Sequence, residues 1–209
     1  LYKDTSVSDR LETIVPTNIG YYPWTKAESY TLLTAVALRE NKAAEIQGVL
    51  GRIDTIYMNE KGLYLTSQNY NYDTGAKTYI SKYTIDKQKI TYAASGYVNG
   101  SVLNQFSMDE HANIFRIATT TGDMWRNNSK NNVYILDENL KPLGKLEGLA
   151  EGERIYSTRF AGDRVYMVTF RQVDPLFVID TSNPRAPQLK GMLKIPGYST
   201  YLHMVDEDH

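Results

Sequence analysis

The sequence predicts an all-β chain, a partial β-propeller of four-stranded antiparallel blades. Three observations carry this. An apolar run capped by Asp recurs as Tyr83-Thr84-Ile85-Asp86, Tyr134-Ile135-Leu136-Asp137 and Phe177-Val178-Ile179-Asp180, at spacings of 51 and 43 residues, in the range of propeller blades. A β-hairpin pattern precedes each run. Tyrosine, which favours strands and binding surfaces, occurs 17 times among 209 residues.

Residues 1–28 read as a polar, irregular N-terminal segment with Tyr21-Tyr22-Pro23-Trp24 as its one apolar knot. Tyr30 to Leu38 and Ala44 to Leu50 read as the last two strands of an earlier, incomplete blade at 29–52. Local composition disputes this, because Thr31 to Gln47 is rich in Leu, Ala, Glu, Arg and Lys and would pass as a helix. The repeat decides for strand, since the flanking blade needs a neighbour to cover its apolar face.

Full blades follow at 53–100, 101–152 and 153–197. In the first, Ile56-Tyr57-Met58 and Leu63-Tyr64-Leu65 are joined across Asn59 to Gly62. In the second, Phe106-Ser107-Met108 and Ile114 to Ile117 are joined across Asp109 to Asn113. In the third, Ile155 to Phe160 and Val165 to Phe170 flank Gly162-Asp163, a good tight-turn pair. After each capping Asp, polar turn residues lead to a fourth stretch: Ile90 to Ala93, Leu143 to Leu146 and Leu189 to Leu193. Tyr198 to Val205, followed by Asp206-Glu207-Asp208, reads as the start of a further blade at 198–209. The propeller segment is thus 29–209, three full blades between two incomplete ones.

Bulk properties exclude several function classes. Lys+Arg is 23 against Asp+Glu 24, a formal net charge of -1. Phosphate binding wants a basic stripe, and none is visible, so a nucleic-acid partner is not expected. No apolar run approaches the roughly 20 residues that span a bilayer. The chain opens on Leu1 without a charged or apolar leader, so any signal peptide or anchor is expected outside it. There is no cysteine, which removes disulfides, thiolate nucleophiles and Cys-ligated zinc.

The strings Leu136-Asp137-Glu138-Asn139-Leu140, Gly152-Glu153-Arg154-Ile155-Tyr156-Ser157 and Phe170-Arg171-Gln172-Val173-Asp174-Pro175-Leu176-Phe177-Val178-Ile179-Asp180 resemble a prokaryotic family of secreted β-propeller proteins, itself distantly similar to WD40 repeats. Ile195-Pro196-Gly197-Tyr198-Ser199-Thr200-Tyr201-Leu202-His203 resembles the same family. The resemblance runs from about Ile53 to the end and is strongest over 131–206. It implies a propeller fold, an extracellular or cell-surface location and a longer parent domain, and it brings no established reaction and no catalytic residues. A stop in mid-blade agrees with an excised piece of such a domain. Exposed strand edges and outer faces of a partial propeller invite self-association of the fragment.

In a propeller the second-to-third-strand loops share one face with the blade-to-blade connections. Here these loops are Asn69 to Lys77, Thr121 to Asn132 and Arg171 to Asp174, and the connections include Tyr97 to Asn104 and Pro196 to Ser199. Trp125 and Arg126 stand in a long polar loop. Trp125 either offers a stacking platform to a sugar or partner side chain, or folds back over its own blade. Tyr72 and Asp73 lie in Asn69-Tyr70-Asn71-Tyr72-Asp73-Thr74-Gly75. Its alternating oxygen side chains suit calcium, yet Gly is misplaced for an EF-hand and Ile80 holds the twelfth position, whereas turn chemistry alone explains the segment. Arg171, Gln172 and Asp174 either clamp a carboxylate at a loop mouth or form an internal salt bridge. Tyr198 belongs to the last connection.

His111, His203 and His209 are too far apart in sequence for a local metal motif. No Gly-x-Ser-x-Gly elbow or phosphate-cradling loop occurs. Carboxylates such as Asp109-Glu110, Glu151 and Glu153 are turn residues first, although glycosidase chemistry needs two facing across a pocket.

The reading is a non-catalytic binding or interaction module of a secreted or cell-surface bacterial protein, meeting a protein or glycan, without cofactor. The alternatives are an extracellular hydrolase working on polymer through top-face carboxylates, or a purely structural platform.

Overall fold

A computed structural model describes residues 9–10, 16, 19–24, 29–37, 39, 44–87, 89–170, 174–195 and 199–205. The strands are β1 Ile19–Tyr21, β2 Tyr30–Ala35, β3 Glu45–Leu50, β4 Thr55–Met58, β5 Gly62–Asn71, β6 Gly75–Asp86, β7 Lys89–Asn99, β8 Met108–His111, β9 Ile114–Thr121, β10 Lys130–Leu136, β11 Pro142–Leu149, β12 Arg154–Ala161, β13 Arg164–Phe170, β14 Asp174–Asp180 and β15 Gln188–Ile195. A 3-10 turn, Gln105–Ser107, is capped by Asn104, whose side chain accepts from the Phe106 N–H. Among the described residues no helix is long and apolar enough to cross a membrane.

The strands form one three-stranded sheet, β1-β3-β2, and three four-stranded sheets in chain order: β4-β5-β6-β7, β8-β9-β10-β11 and β12-β13-β14-β15. Pairing in the last two is antiparallel throughout. Their inner strands explain the apolar runs. Phe115 to Thr119 and Asn131 to Leu136 are buried without a break, as strands covered on both faces must be.

The Asp that marks the repeat is a turn device. Asp137 Oδ1 accepts the N–H groups of Asn139 (2.9 Å) and Lys141 (2.8 Å). Asp180 Oδ1 accepts the Ser182 N–H (2.9 Å) and hydroxyl (2.6 Å). A carboxylate at this place satisfies the turn's backbone donors and so ends the third strand where the chain must reverse. Gly162-Asp163 turns the β12–β13 hairpin, with Ala161 opposite Arg164 and Gly162 at a positive φ of 49°.

Two compact units divide the chain: Leu1–Ser67 with Ser81–Ala93, and Gln68–Ile80 with Ala94–His209. The first has a core of Tyr22, Leu33, Val49, Leu63, Leu65, Tyr83 and Ile90. Within it, β2 and β3 pair antiparallel from Tyr30↔Leu50 to Ala35↔Glu45. The helix-like composition of Thr31 to Gln47 is overridden by this pairing, which buries Leu33 and leaves Leu32 exposed in strand alternation. The N-terminal stretch expected to be irregular also holds a strand: β1 pairs parallel with β3, Ile19 opposite Gly48 and Tyr21 opposite Leu50. Tyr22 stacks on Trp24 with centroids 5.4 Å apart.

The second unit has a core between successive sheets. Ala118 and Val133 of one pack with Ile155, Val165, Met167, Phe177 and Ile179 of the next. Polar ties reinforce it. Arg116, 1% exposed, is bound to Asp109 and donates from Nη1 to the Gly162 carbonyl (2.6 Å) and the Thr181 hydroxyl (3.0 Å).

Candidate functional site

In a sheet of sequential strands, the second-to-third-strand turn lies at the same end as the exit to the next sheet. In the second unit this end gathers the β5–β6 and β9–β10 connections, with the β7–β8 and β11–β12 links. The links are tied to the sheets by backbone and buried polar groups. Ser101 and Thr120 exchange backbone hydrogen bonds at 2.8 and 3.0 Å. The buried Asn131 takes the Thr120 hydroxyl on Oδ1 (2.8 Å) and donates from Nδ2 to the Leu149 (3.2 Å), Ala150 (3.4 Å) and Glu153 (3.2 Å) carbonyls. Thr120 Oγ1 also accepts the Ile155 N–H at 3.2 Å. The platform beneath the loops is therefore a connected network, which fixes loop positions better than isolated bonds would.

Trp125 projects from the β9–β10 loop and is 94% exposed. It does not fold back over its own blade. The loop's backbone needs are met internally: Asp123 Oδ1 accepts the Trp125 N–H (2.8 Å), Asn128 Oδ1 accepts the Asp123 N–H (2.8 Å), and Asn127 N–H reaches the Met124 carbonyl (3.1 Å). Gly122, at φ 73°, lies so close to the Asn128 carbonyl that a side chain would collide. Arg126, the next residue along the loop, is also exposed.

Tyr72 caps the β5–β6 hairpin of the preceding sheet and is 95% exposed, with Asp73 exposed next to it. Asn71 Oδ1 accepts the N–H groups of Asp73 (2.8 Å) and Thr74 (3.3 Å), a side-chain turn that accounts for the Asn, Asp and Gly of this segment. Tyr70 packs edge-on against Tyr72 at 5.7 Å. Below them Tyr79 and Tyr97 meet at 5.9 Å, and Lys77 Nζ lies 5.1 Å from the Tyr97 ring centre. Asp174 begins β14 opposite Ile195. Arg171, Gln172 and Tyr198 lie outside the described residues.

One cluster gave no sequence signal. At the same end of the third four-stranded sheet Tyr156 packs edge-on against Phe170 at 5.1 Å, and the Arg154 guanidinium lies 4.9 Å from the Tyr156 ring centre. Tyr156 and Phe170 are far apart in sequence and meet only through the β12–β13 register, so no local motif could announce them.

The carboxylates are largely engaged. Asp109 binds Arg116, Glu153 accepts the Thr169 hydroxyl, and Glu151 lies 3.9 Å from Lys130. His111 stands 3.6 Å from Asp163 at the opposite end, and His203 meets Tyr201 at 3.4 Å, while His209 lies outside the described residues. Among the described residues no three His, Asp or Glu side chains converge as a metal site would require.

A family described as the beta propeller domain matches residues 5–209, and the chain belongs to it. A propeller domain of this kind is an interaction or structural scaffold. Among similar proteins, an uncharacterised protein of Methanocaldococcus jannaschii is 52% identical over 130 residues, covering 61% of this chain and 20% of the relative. An uncharacterised protein of Archaeoglobus fulgidus is 40% identical over 173 residues, covering 80% of this chain and 27% of the relative. The chain thus spans about a fifth to a quarter of the length of these relatives.

Proposed function

We propose that the chain is a non-catalytic binding module of a secreted or cell-surface protein, meeting a protein or glycan ligand through the loop end that carries Trp125 and Tyr72. One observation carries this reading. Two aromatic rings, 94% and 95% exposed, stand on the second-to-third-strand turns of successive blades, each on a turn whose backbone is already held by Asn or Asp side chains. A large ring kept in water has no role in the core, and a ring on a pre-ordered turn loses little entropy when a partner covers it. Arg126, Lys77 and the Arg154–Tyr156–Phe170 cluster add cationic and aromatic contacts at the same end.

The test is a screen of immobilised glycans and surface proteins with the wild-type protein, followed by Trp125→Ala and Tyr72→Ala. Each variant should weaken the captured ligand about tenfold or more, the scale of an aromatic contact at the centre of an interface. Unchanged affinity in both would remove the reading. The extracellular location rests on the sequence resemblance, and protease accessibility on intact cells checks it separately.

A further inference from the structure

The tripeptide Asn-x-Ser, with x other than Pro, occurs at two places in the chain, Asn99-Gly100-Ser101 and Asn127-Asn128-Ser129. It is the acceptor pattern for an N-linked oligosaccharide, in which the hydroxyl two residues on is required for transfer to the asparagine amide. Both asparagines are exposed at the loop end of their sheet. The tripeptide does not rank the two sites, but the backbone around each does.

The first site is woven into the sheets. The Asn99 carbonyl accepts the Thr119 hydroxyl (2.7 Å) and the Gly100 carbonyl accepts the Thr78 hydroxyl (2.7 Å). The Gly100 N–H donates to the Ala76 carbonyl (2.8 Å), and Ser101 exchanges backbone hydrogen bonds with Thr120 at 2.8 and 3.0 Å. These partners lie on β6 and β9. Freeing Asn99 for an enzyme therefore means breaking three strands apart.

The second site is held by its own loop. The Asn127 N–H donates to the Met124 carbonyl (3.1 Å) and the Asn128 N–H to the Asp123 carbonyl (3.2 Å). Asn127 sits at a φ of 55°, a turn conformation that asparagine tolerates. The first tie to another segment comes at Ser129, whose carbonyl accepts the Gly152 N–H (2.9 Å). Opening Asn127 and Asn128 breaks loop bonds alone, which places it among the low-energy local openings. Ser129 adds a second observation. It is 1% exposed, and its hydroxyl has no hydrogen-bond partner among the described residues. A buried, unpaired hydroxyl destabilises a fold, so packing does not account for a serine here. A transferase that meets the open loop does.

We infer that Asn127 is an N-glycosylation acceptor, modified by an oligosaccharide from a lipid-phosphate donor, and that Asn99 stays bare. In the transfer, Nδ2 of Asn127 bonds to the anomeric carbon of the first sugar. The bond from that carbon to the phosphate oxygen breaks, the lipid phosphate leaves with the electron pair, and Nδ2 gives one of its two protons to a base of the transferase. The product sets an oligosaccharide two residues from Trp125, on the same loop. Such acceptors belong to surface loops of secreted proteins, so the assignment rests on the extracellular location proposed above, and not on the identity of the ligand.

The test is peptide mass spectrometry on the protein isolated from the cells that make it. The peptide spanning Gly122 to Lys130 should carry the mass of an oligosaccharide, placed on Asn127 by fragmentation, and the peptide with Asn99 should carry none. Asn127→Gln should lose the sugar. Ser129→Ala keeps the acceptor amide and removes a hydroxyl that bonds nothing in the folded chain, so it should lose the sugar while the protein still folds, with its urea midpoint as the check. Protease accessibility on intact cells is read in parallel. A bare Asn127 on a protein that protease reaches would overturn the assignment and leave the location standing. A bare Asn127 on a protein that protease does not reach would remove both. A sugar on Asn99 in place of Asn127, or one that survives Ser129→Ala, would overturn the assignment as well.

Discussion

The guanidinium of Arg116 leaves its own sheet to donate to the backbone carbonyl of Gly162, 2.6 Å away and 46 residues further along the chain. Its counter-ion, Asp109, sits on the adjacent strand β8, opposite Arg116 in the register. One side chain therefore joins a buried ion pair to the turn of the following blade.

The two halves of that pair should not be equivalent. The Arg116 side chain is 1% exposed and that of Asp109 is 24% exposed. Removing the arginine leaves a carboxylate that water can reach. Removing the carboxylate leaves a buried cation without its counter-ion. Arg116→Met is expected to cost about 2–3 kcal/mol and Asp109→Leu about 3–5 kcal/mol, the larger figure being that of an uncompensated buried charge. Urea midpoints of the two variants check the order.

Binding and stability should separate at the β9–β10 loop. Trp125→Ala removes an exposed ring with its backbone hydrogen bond untouched, so it should change stability by no more than about 0.5 kcal/mol. Asn131→Ala removes the side chain that bonds three carbonyls and a hydroxyl, and should cost about 2–3 kcal/mol. Denaturant titration read beside ligand binding distinguishes the residue that contacts from the residue that holds the loop.

Local chemistry was the legible part of this chain. Asp137 and Asp180 mark third-strand ends because a carboxylate answers the donors of the following turn, and that need leaves a trace at a fixed place in the sequence. Gly162-Asp163 announced its hairpin for the same reason. Thr31 to Gln47 was ambiguous because helix propensity is local, whereas the burial of Leu33 beside Tyr22 and Tyr83 is not. Trp125 could be placed on its loop from the sequence, but its direction depends on Asp123 and Asn128 spending their side chains on the loop backbone. Arg116 and Asn131 left no signal, since each acts on carbonyls that the register brings near and a carbonyl has no residue identity.

Asp180 carries an acid-sensitive contribution. The Ser182 hydroxyl, then its N–H and the nearby Lys190, hold the Asp180 carboxyl below its usual range. A carboxyl lowered in the folded state adds stability above its unfolded pKa, and that part is lost as pH falls through the folded value. Ser182→Ala should move the Asp180 titration back toward the ordinary carboxylate range in carbon-detected NMR. It should also lower stability near neutral pH, where this contribution is fully present, and leave stability in strong acid unchanged, so that the acid-dependent loss shrinks.

The alkaline limb of stability should be set by buried phenols. Tyr22 and Tyr83 place their hydroxyls 2.5 Å apart inside the core of the first unit, and burial pushes both phenols above their ordinary value. Tyr134 is raised by burial and by its bond to Glu147 at 2.8 Å. For a group whose folded pKa is raised, the unfolded chain loses its proton first, so stability is complete below the ordinary phenol value of about 10 and falls as pH climbs beyond it. Absorbance at alkaline pH should show a late, cooperative phenol ionisation as the protein unfolds. Tyr83→Phe removes one of the late protons, so the decline of stability above about pH 10 should be shallower by one proton. An unchanged slope would show that Tyr83 ionises in the folded core as readily as in the unfolded chain, and that its bond to Tyr22 does not oppose ionisation.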